Sequence, residues 1–462
     1  MRSRRPRARV VLAVFCLTAI TLIAPASASG AIRGLLWTDR YAPTAEIDRW
    51  DDIAIGPGHT VFACGTQGLT QGPGWKMIVA KFSQAGVRMW ETLLVPGVIT
   101  WAQPGEDAQG NALAVEHDGN VIVAGWSGSG TGGYAVVKFD GGDGHVLWAQ
   151  DLRLTDNAYA TDVAVDRYNA VYTTGSMTGD ATVGHAIVTI KFSAGGIERW
   201  RNVYSGPLLD SQASSLRLDA SRNTYVSGLT QTTAGGTDWV TMKISPAGER
   251  LWTKRWDGPE HKADLLGGLA LSSSGALYVA GDTQVGTSGR DDGVVVRYSS
   301  SGRRVWTKYL RKSATDTTLM DLCLDTNGNL LLCGVRRPLD ASKPLRALLA
   351  KMSPEGVRRW LRDTPSPSNP DGVMAYYDMA RGPSGSTYLT GAVAPSAMDT
   401  DVLIEKRKPT GGLAWRAVFG WPDGGDDDGG RLVVDGTRAV YVASGLWGTT
   451  TFIDACLQKY KP

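Results

Sequence analysis

Short apolar runs alternate with turn signals along almost the whole chain, and no long segment repeats apolar residues at the 3.6-residue helical period. Residues 293–310 (GVVVRYSSSGRRVWTKYL) give the pattern in full. An apolar run ends in a base and an aromatic, a Ser/Gly turn follows, and a second run carries one Trp. The same order recurs at 77–90, 186–200 and 238–252. Runs such as Val294-Val295-Val296 do not alternate with polar residues, so their sheet is covered on both faces. The surrounding unit reads as four strands: 266–271, 277–281, 293–298 and 304–310. Turns at 272–275, 286–291 and 299–302 separate them.

Three landmarks fix the repeat. A Gly closes the second strand: Gly65, Gly125, Gly175, Gly228, Gly281, Gly334, Gly391, Gly445. A base ends the third: Lys81, Lys138, Lys191, Lys243, Arg297, Lys351, Lys406, Lys459. A Trp follows nine or ten residues later: Trp90, Trp148, Trp200, Trp252, Trp306, Trp360, Trp415. Lys459 has no Trp after it, whereas Trp37 has no Gly or base before it. The chain is therefore expected to close into a ring, with the strand around Trp37 completing the last repeat and removing two free sheet edges. This gives an all-β fold, a closed β-propeller of eight four-stranded blades. Seven blades plus an irregular unit is the alternative. Pairing Tyr298 with Arg303 would put Trp306 opposite Val295 and diagonal to Arg297. The base then either lies over the indole or reaches solvent at the blade rim.

The sequences DDGVVVRYSSSGRRVW and DVLIEKRKPTGGLAW, each followed by an acidic loop, resemble the SBBP-type β-propeller repeats of exported bacterial proteins. That resemblance spans the mature chain and implies a propeller outside the cytoplasm; it implies no reaction. Residues 1–28 read as a signal peptide: five Arg early, an apolar core, and Ala26-Ser27-Ala28 before cleavage. Arg4-Arg5 leaves Sec and twin-arginine export both open. Residues 29–462 then form a single propeller domain, secreted or at the cell surface.

The whole chain has 48 Lys+Arg against 45 Asp+Glu, and loss of the signal leaves 43 against 45. A near-neutral protein offers no basic face to nucleic acid, and no later stretch suits a membrane span. Cys64, Cys323, Cys333 and Cys456 survive export. They read either as two disulfides, Cys323–Cys333 and Cys64–Cys456, or as four buried small side chains.

An acid recurs before each first strand, at Asp48, Asp107, Asp210, Asp264, Asp316 and Asp427, with Asn157 and Asp371 as variants. These carboxylates either ring the channel mouth to take a cation, Ca²⁺ foremost, or a basic ligand, or they cap backbone N–H groups. A second set, Asp238, Asp292, Asp401 and Asp454, stands five residues before the base and reads as structural. The run 423–430 (DGGDDDGG) is the densest acidic patch. Trp101, Trp126, Trp421 and Trp447 lie off the repeat and are candidates for stacking on a ligand. No paired histidines, HExxH, GxSxG or phosphate loop is present. Residues 136–150 (VVKFDGGDGHVLWAQ) are similar to the Trp-bearing repeats of quinone dehydrogenases, whose vicinal cysteines this chain lacks. The expected function is non-enzymatic binding of a protein, peptide or glycan through loops on one face. The alternative is an enzyme (lyase, hydrolase or quinoprotein-like dehydrogenase) with its site at the channel mouth.

Overall fold

A computed structural model describes residues 34–41, 48–68, 74–94, 107–128, 132–152, 157–178, 184–206, 210–232, 236–286, 290–340, 342–367, 372–396, 399–420, 426–436, 439–447 and 453–462. The signal peptide, Trp101, Trp421, Asp371 and 423–425 lie outside these residues. Eight antiparallel four-stranded sheets follow one another, with strands paired in chain order. They span 49–94, 108–152, 159–204, 211–256, 264–310, 315–364 and 374–419 as blades 1 to 7. Blade 8 is built from 428–460 with Leu35–Tyr41 as its outermost strand. The first strands of consecutive blades touch one another in a closed cycle, including blade 8 against blade 1, so they line the axis. This is a β-propeller.

The core is divided into eight inter-blade layers. Tyr278, Val295, Leu332 and Leu348, for example, fill the layer between blades 5 and 6. Middle strands pack on both faces, which explains their unbroken apolar runs. Each landmark Gly has a steric cause. In blades 1 to 7 it lies opposite the first strand just where an extra residue bulges in, as at Trp50/Asp52 and Leu319/Asp321; in blade 8 the irregularity falls one pair beyond Gly445. A Cβ on Gly65 would stand 1.8 Å from the Arg49 carbonyl oxygen, and one on Gly125 1.8 Å from that of Gln109.

The base and the Trp act together across blades. In six of the eight pairs both donate to one carbonyl in the turn between the third and fourth strands of the next blade. Trp306 Nε1 and Arg297 Nη1 reach Pro354 O at 3.1 and 3.0 Å. Trp200 Nε1 and Lys191 Nζ reach Pro246 O at 2.9 and 3.5 Å, and Trp148 and Lys138 share Ala194 O at 2.9 and 3.3 Å. The indole lies under the Gly of that turn, Gly248 for Trp200 and Gly302 for Trp252, where φ is positive. The base passes over the second-strand aromatic, as Lys243 does over Tyr225 at 4.8 Å. Neither expected placement of the base holds: it lies beside the indole rather than over it, and it is bonded rather than solvated. The register is also corrected. A bulge after Arg297 puts Trp306 directly opposite Arg297, not Val295.

Ring closure follows the same geometry. Trp37 pairs with Lys459 in register, and both donate to Gln84 O of blade 1, Trp37 at 3.2 Å. The two chain ends together rebuild the one broken copy. Trp37→Ala and Trp306→Ala should therefore cost similar stability, about 3 kcal/mol each, measured by urea unfolding. A near-zero cost for Trp37→Ala would show that the terminal pair does not carry the load of an internal one.

Candidate functional site

Successive antiparallel strands place two classes of loop at opposite ends of the disc. Turns joining first to second and third to fourth strands share one end. They are uniform, five residues long in most blades (56–60, 116–120, 166–170; 83–87, 193–197, 245–249). The other end carries the second-to-third connections and those between blades. These run from two residues (397–398) to thirteen (95–107). The repeat is thus broken at one face only.

The acids predicted at the channel mouth lie on this loop face, but they do not converge. Three of them bind backbone N–H groups that start the third strand of the preceding blade. Asp107 Oδ1 accepts from Trp75 N at 2.6 Å, Asp316 Oδ1 from Asp291 N at 3.3 Å, and Asp210 from the main chain and ring of His185. Asp264 is fully buried and accepts from Gly258 N at 2.8 Å. Asp427 is buried, and its N–H bonds Thr400 O at 2.6 Å. The geometry is that of backbone caps between blades.

One sector does gather carboxylates. Ligand oxygens of Asp238, Asp257 and Asp264 lie within 4.8 Å of one another, three of the six to eight oxygens that a Ca²⁺ ion takes. Arg255 pairs with Asp238, His261 with Asp257 at 2.7 Å, and Gly258 N–H with Asp264, so protein donors already serve each carboxylate. Burial, with repulsion from Asp257, pushes Asp238 up to about 6, and burial pushes Asp264 up to about 7. The structural acids behave as read. Asp292 is buried against Arg290 and Arg311, and Asp454 against Arg40.

Trp126 lies half-buried on the loop face, edge-on to Trp75 at 6.3 Å, with Nε1 bonded to Gln109 Oε1 at 2.9 Å. Trp447 ends the second strand of blade 8 opposite Ile453; its side chain is outside the described residues. The four cysteines are free. Cys64 faces blade 2 and Cys456 faces blade 7, so the two point into different layers. Cys323 lies opposite Leu331, and Cys333 opposite Asp321. That diagonal offset is wider than a disulfide spans, and Cys323 Sγ contacts Met379 Sδ instead. The disulfide reading is therefore replaced by four packed thiols.

The axial channel holds charges that the sequence reading overlooked. Thirteen residues before the landmark Gly stand Asp52, Ala112, Asp162, Ser215, Gly268, Asp321 and Asp378 in blades 1 to 7; in blade 8 the place is taken by Arg431, fourteen residues before Gly445. Each carboxylate accepts from the next blade's first strand: Asp52 from Leu113 N (2.9 Å), Asp162 from Leu216 N (2.8 Å), Asp321 from Met379 N (3.3 Å), Asp378 from Leu432 N (2.7 Å). The carboxyls of Asp321 and Asp378 are neighbours in the channel. Burial raises both, and for Asp321 the neighbouring Asp378 adds to it. Burial pushes Asp52 up to about 6. Arg431 opposes all three shifts, with its Nη1 4.0 Å from Asp378 Oδ1. The recurrence at a fixed offset was the available signal; it is hidden because only half the blades carry Asp.

No protein-family model and no curated protein sequence matches the chain. In fold it is similar to solved quinohemoprotein alcohol dehydrogenases. With that of Comamonas testosteroni it shares 12% identity at a TM-score of 0.51, over 92% of this chain and 76% of the other. With ADHIIG of Pseudomonas putida it shares 12% at 0.54, over 93% and 76%. At that identity the likeness extends to the propeller alone. The dispersed cysteines do not fit the vicinal pair expected beside a quinone.

A carboxyl raised on folding stabilises fully below its unfolded pKa and loses that contribution as pH rises through the folded value. For Asp264 the window runs from about 4 to about 7. Asp264→Asn should remove this slope and raise stability at pH 8 relative to wild type, by up to roughly 4 kcal/mol. Urea midpoints from pH 4 to 8 check it; parallel curves for the two proteins would refute it.

Proposed function

We propose that the protein is an exported, non-enzymatic binding propeller, of the SBBP-repeat type seen in bacteria, that engages a protein, peptide or glycan through its loop face. The observation that carries this reading is the asymmetry of the disc. One face repeats the same short turn, as packing alone requires, whereas the other varies in length from blade to blade. The half-buried pair Trp75–Trp126 on that face supports it, since paired indoles offer apolar area together with a polar edge. The acids there are occupied by backbone, which leaves recognition to the loops rather than to a ring of charge.

A second reading, an enzyme working at the channel, rests on the Asp321–Asp378 pair. Two neighbouring carboxyls, both raised by burial, can supply an acid and a base side by side. It ranks below the first because each also accepts a backbone N–H across a blade boundary, a structural task repeated at Asp52 and Asp162.

Glycan and peptide arrays probed with the mature protein test the first reading. Binding to a subset of features is expected, reduced roughly tenfold by Trp75→Ala or Trp126→Ala. Tyr168→Ala, 58% exposed in a turn of the opposite face, should leave it unchanged. Equal loss in all three folded variants, or no bound feature, would overturn the reading.

A further inference from the structure

Blade 6 reverses a charge pattern that other blades keep. Five residues before the base, blades 4, 5, 7 and 8 place Asp238, Asp292, Asp401 and Asp454; blade 6 places Arg346. Three residues after the landmark Trp, blades 4 and 8 place Arg255 and Arg40, which pair with those acids; blade 6 places Asp363. A simple swap would pair Arg346 with Asp363. It does not occur, because Asp363 is occupied by two other cations. Both its oxygens accept from Arg336 Nη1 at 2.9 Å, and Oδ2 also from Lys312 Nζ at 2.8 Å. Arg346 has no ion-pair or hydrogen-bond partner among the described residues.

Arg336 and Arg346 are direct cross-strand partners. Like charges placed opposite each other destabilise a sheet, and Arg336 has a side chain only 4% exposed. Between them opens a pocket of about 460 Å³ on the loop face, also lined by Lys312, Lys343 and Asp340. Its wall is held in shape by the bond from Leu339 N to Ala314 O at 3.0 Å. Four cations face two acids, Asp340 and Asp363, which leaves two positive charges uncompensated. The volume is that of a small-molecule site rather than of a single ion.

We propose that this pocket binds a small organic polyanion, with a carboxylate or phosphate group bridging Arg336 and Arg346. Guanidinium forks match the planar or tetrahedral oxyanion in pairs of hydrogen bonds. Such a ligand would neutralise the one like-charged cross-strand pair that the charge reversal creates. The inference deepens the loop-face reading by giving one sector of that face a ligand class, and it rests on that face being the one that binds.

Titration calorimetry at low ionic strength tests it on the mature protein, with citrate and glucose 6-phosphate as probes and glucose as the neutral control. Saturable binding of at least one polyanion is expected, and the preferred probe tells carboxylate from phosphate. Arg346→Gln should weaken it roughly tenfold or more. Lys343→Gln, at a 65% exposed side chain, should weaken it less and keeps the test open if Arg346→Gln does not fold. Arg303→Gln makes the same charge change on the opposite face and should leave binding intact. Absence of saturation with both polyanions overturns the proposal, as does equal weakening by Arg303→Gln or binding of glucose. Array binding that depends on Trp75 and Trp126, with no polyanion binding, would sink this inference and leave the loop-face reading standing.

Discussion

In blades 1 to 6 one carbonyl of the third-to-fourth strand turn receives an indole N–H and a basic head group from the blade before it, and the ring is built around that contact. The two donors come from adjacent strands held in register by a bulge, so the geometry is set within one sheet and used on the next. The indole fills the space beneath a glycine whose positive φ turns the chain away. The base is steadied from the other side by an acid of the first turn, as Lys351 is by Asp325 at 2.7 Å and Lys138 by Glu116 at 2.6 Å. Blades 1 to 5 therefore each grip the next blade and are gripped by the one before, so none of them can shift without disturbing two clasps. Apolar layers supply most of the stabilisation, but they are not directional; the clasp fixes how far one sheet is rotated against the next.

The same division explains what the chain disclosed on inspection. Blade count and ring closure were legible because they rest on a pattern with a single fault, a Lys459 without its Trp and a Trp37 without its base. Strand register was not legible, since the bulge after the base leaves no composition signature. It moved Trp306 from Val295 to Arg297. The thiols were half legible: their burial could be read, but which layer each faces depends on strand parity within the ring. The channel position was present at an offset of thirteen from the landmark Gly in blades 1 to 7 and of fourteen in blade 8. It escaped notice because Asp, Ala, Ser, Gly and Arg share no chemical class there. The basic pocket needed both register and contacts, because only the structure shows that Asp363 is shared by Arg336 and Lys312 while Arg346 is not.

Polar groups in this protein fall into two populations. Those that recur at a fixed offset, such as Asp107, Asp316, Asp52 and Asp162, spend their oxygens on backbone N–H groups of a neighbouring blade. Burying a carboxylate is costly unless its acceptors are used, and here they are used to join sheets. Those that break the offset, such as Arg346, Trp126 and Trp75, make no contribution that every blade needs. Departure from the repeat is thus the better guide to recognition than charge density.

The strand at Leu35–Tyr41 pairs only with Ile453–Tyr460, across nearly the full length of the chain. During synthesis it is made before every other described strand, and its partner after them all. Until then the seam stays unzipped, with an exposed strand edge at each side. Closure of the ring is therefore the last pairing to become possible among the described strands. A chain cut short before residue 453 would have seven formed sheets and an open seam, which marks it for proteolysis or for pairing with a second such copy. The closure that makes the disc seamless also makes it depend on the two described strands farthest apart in sequence.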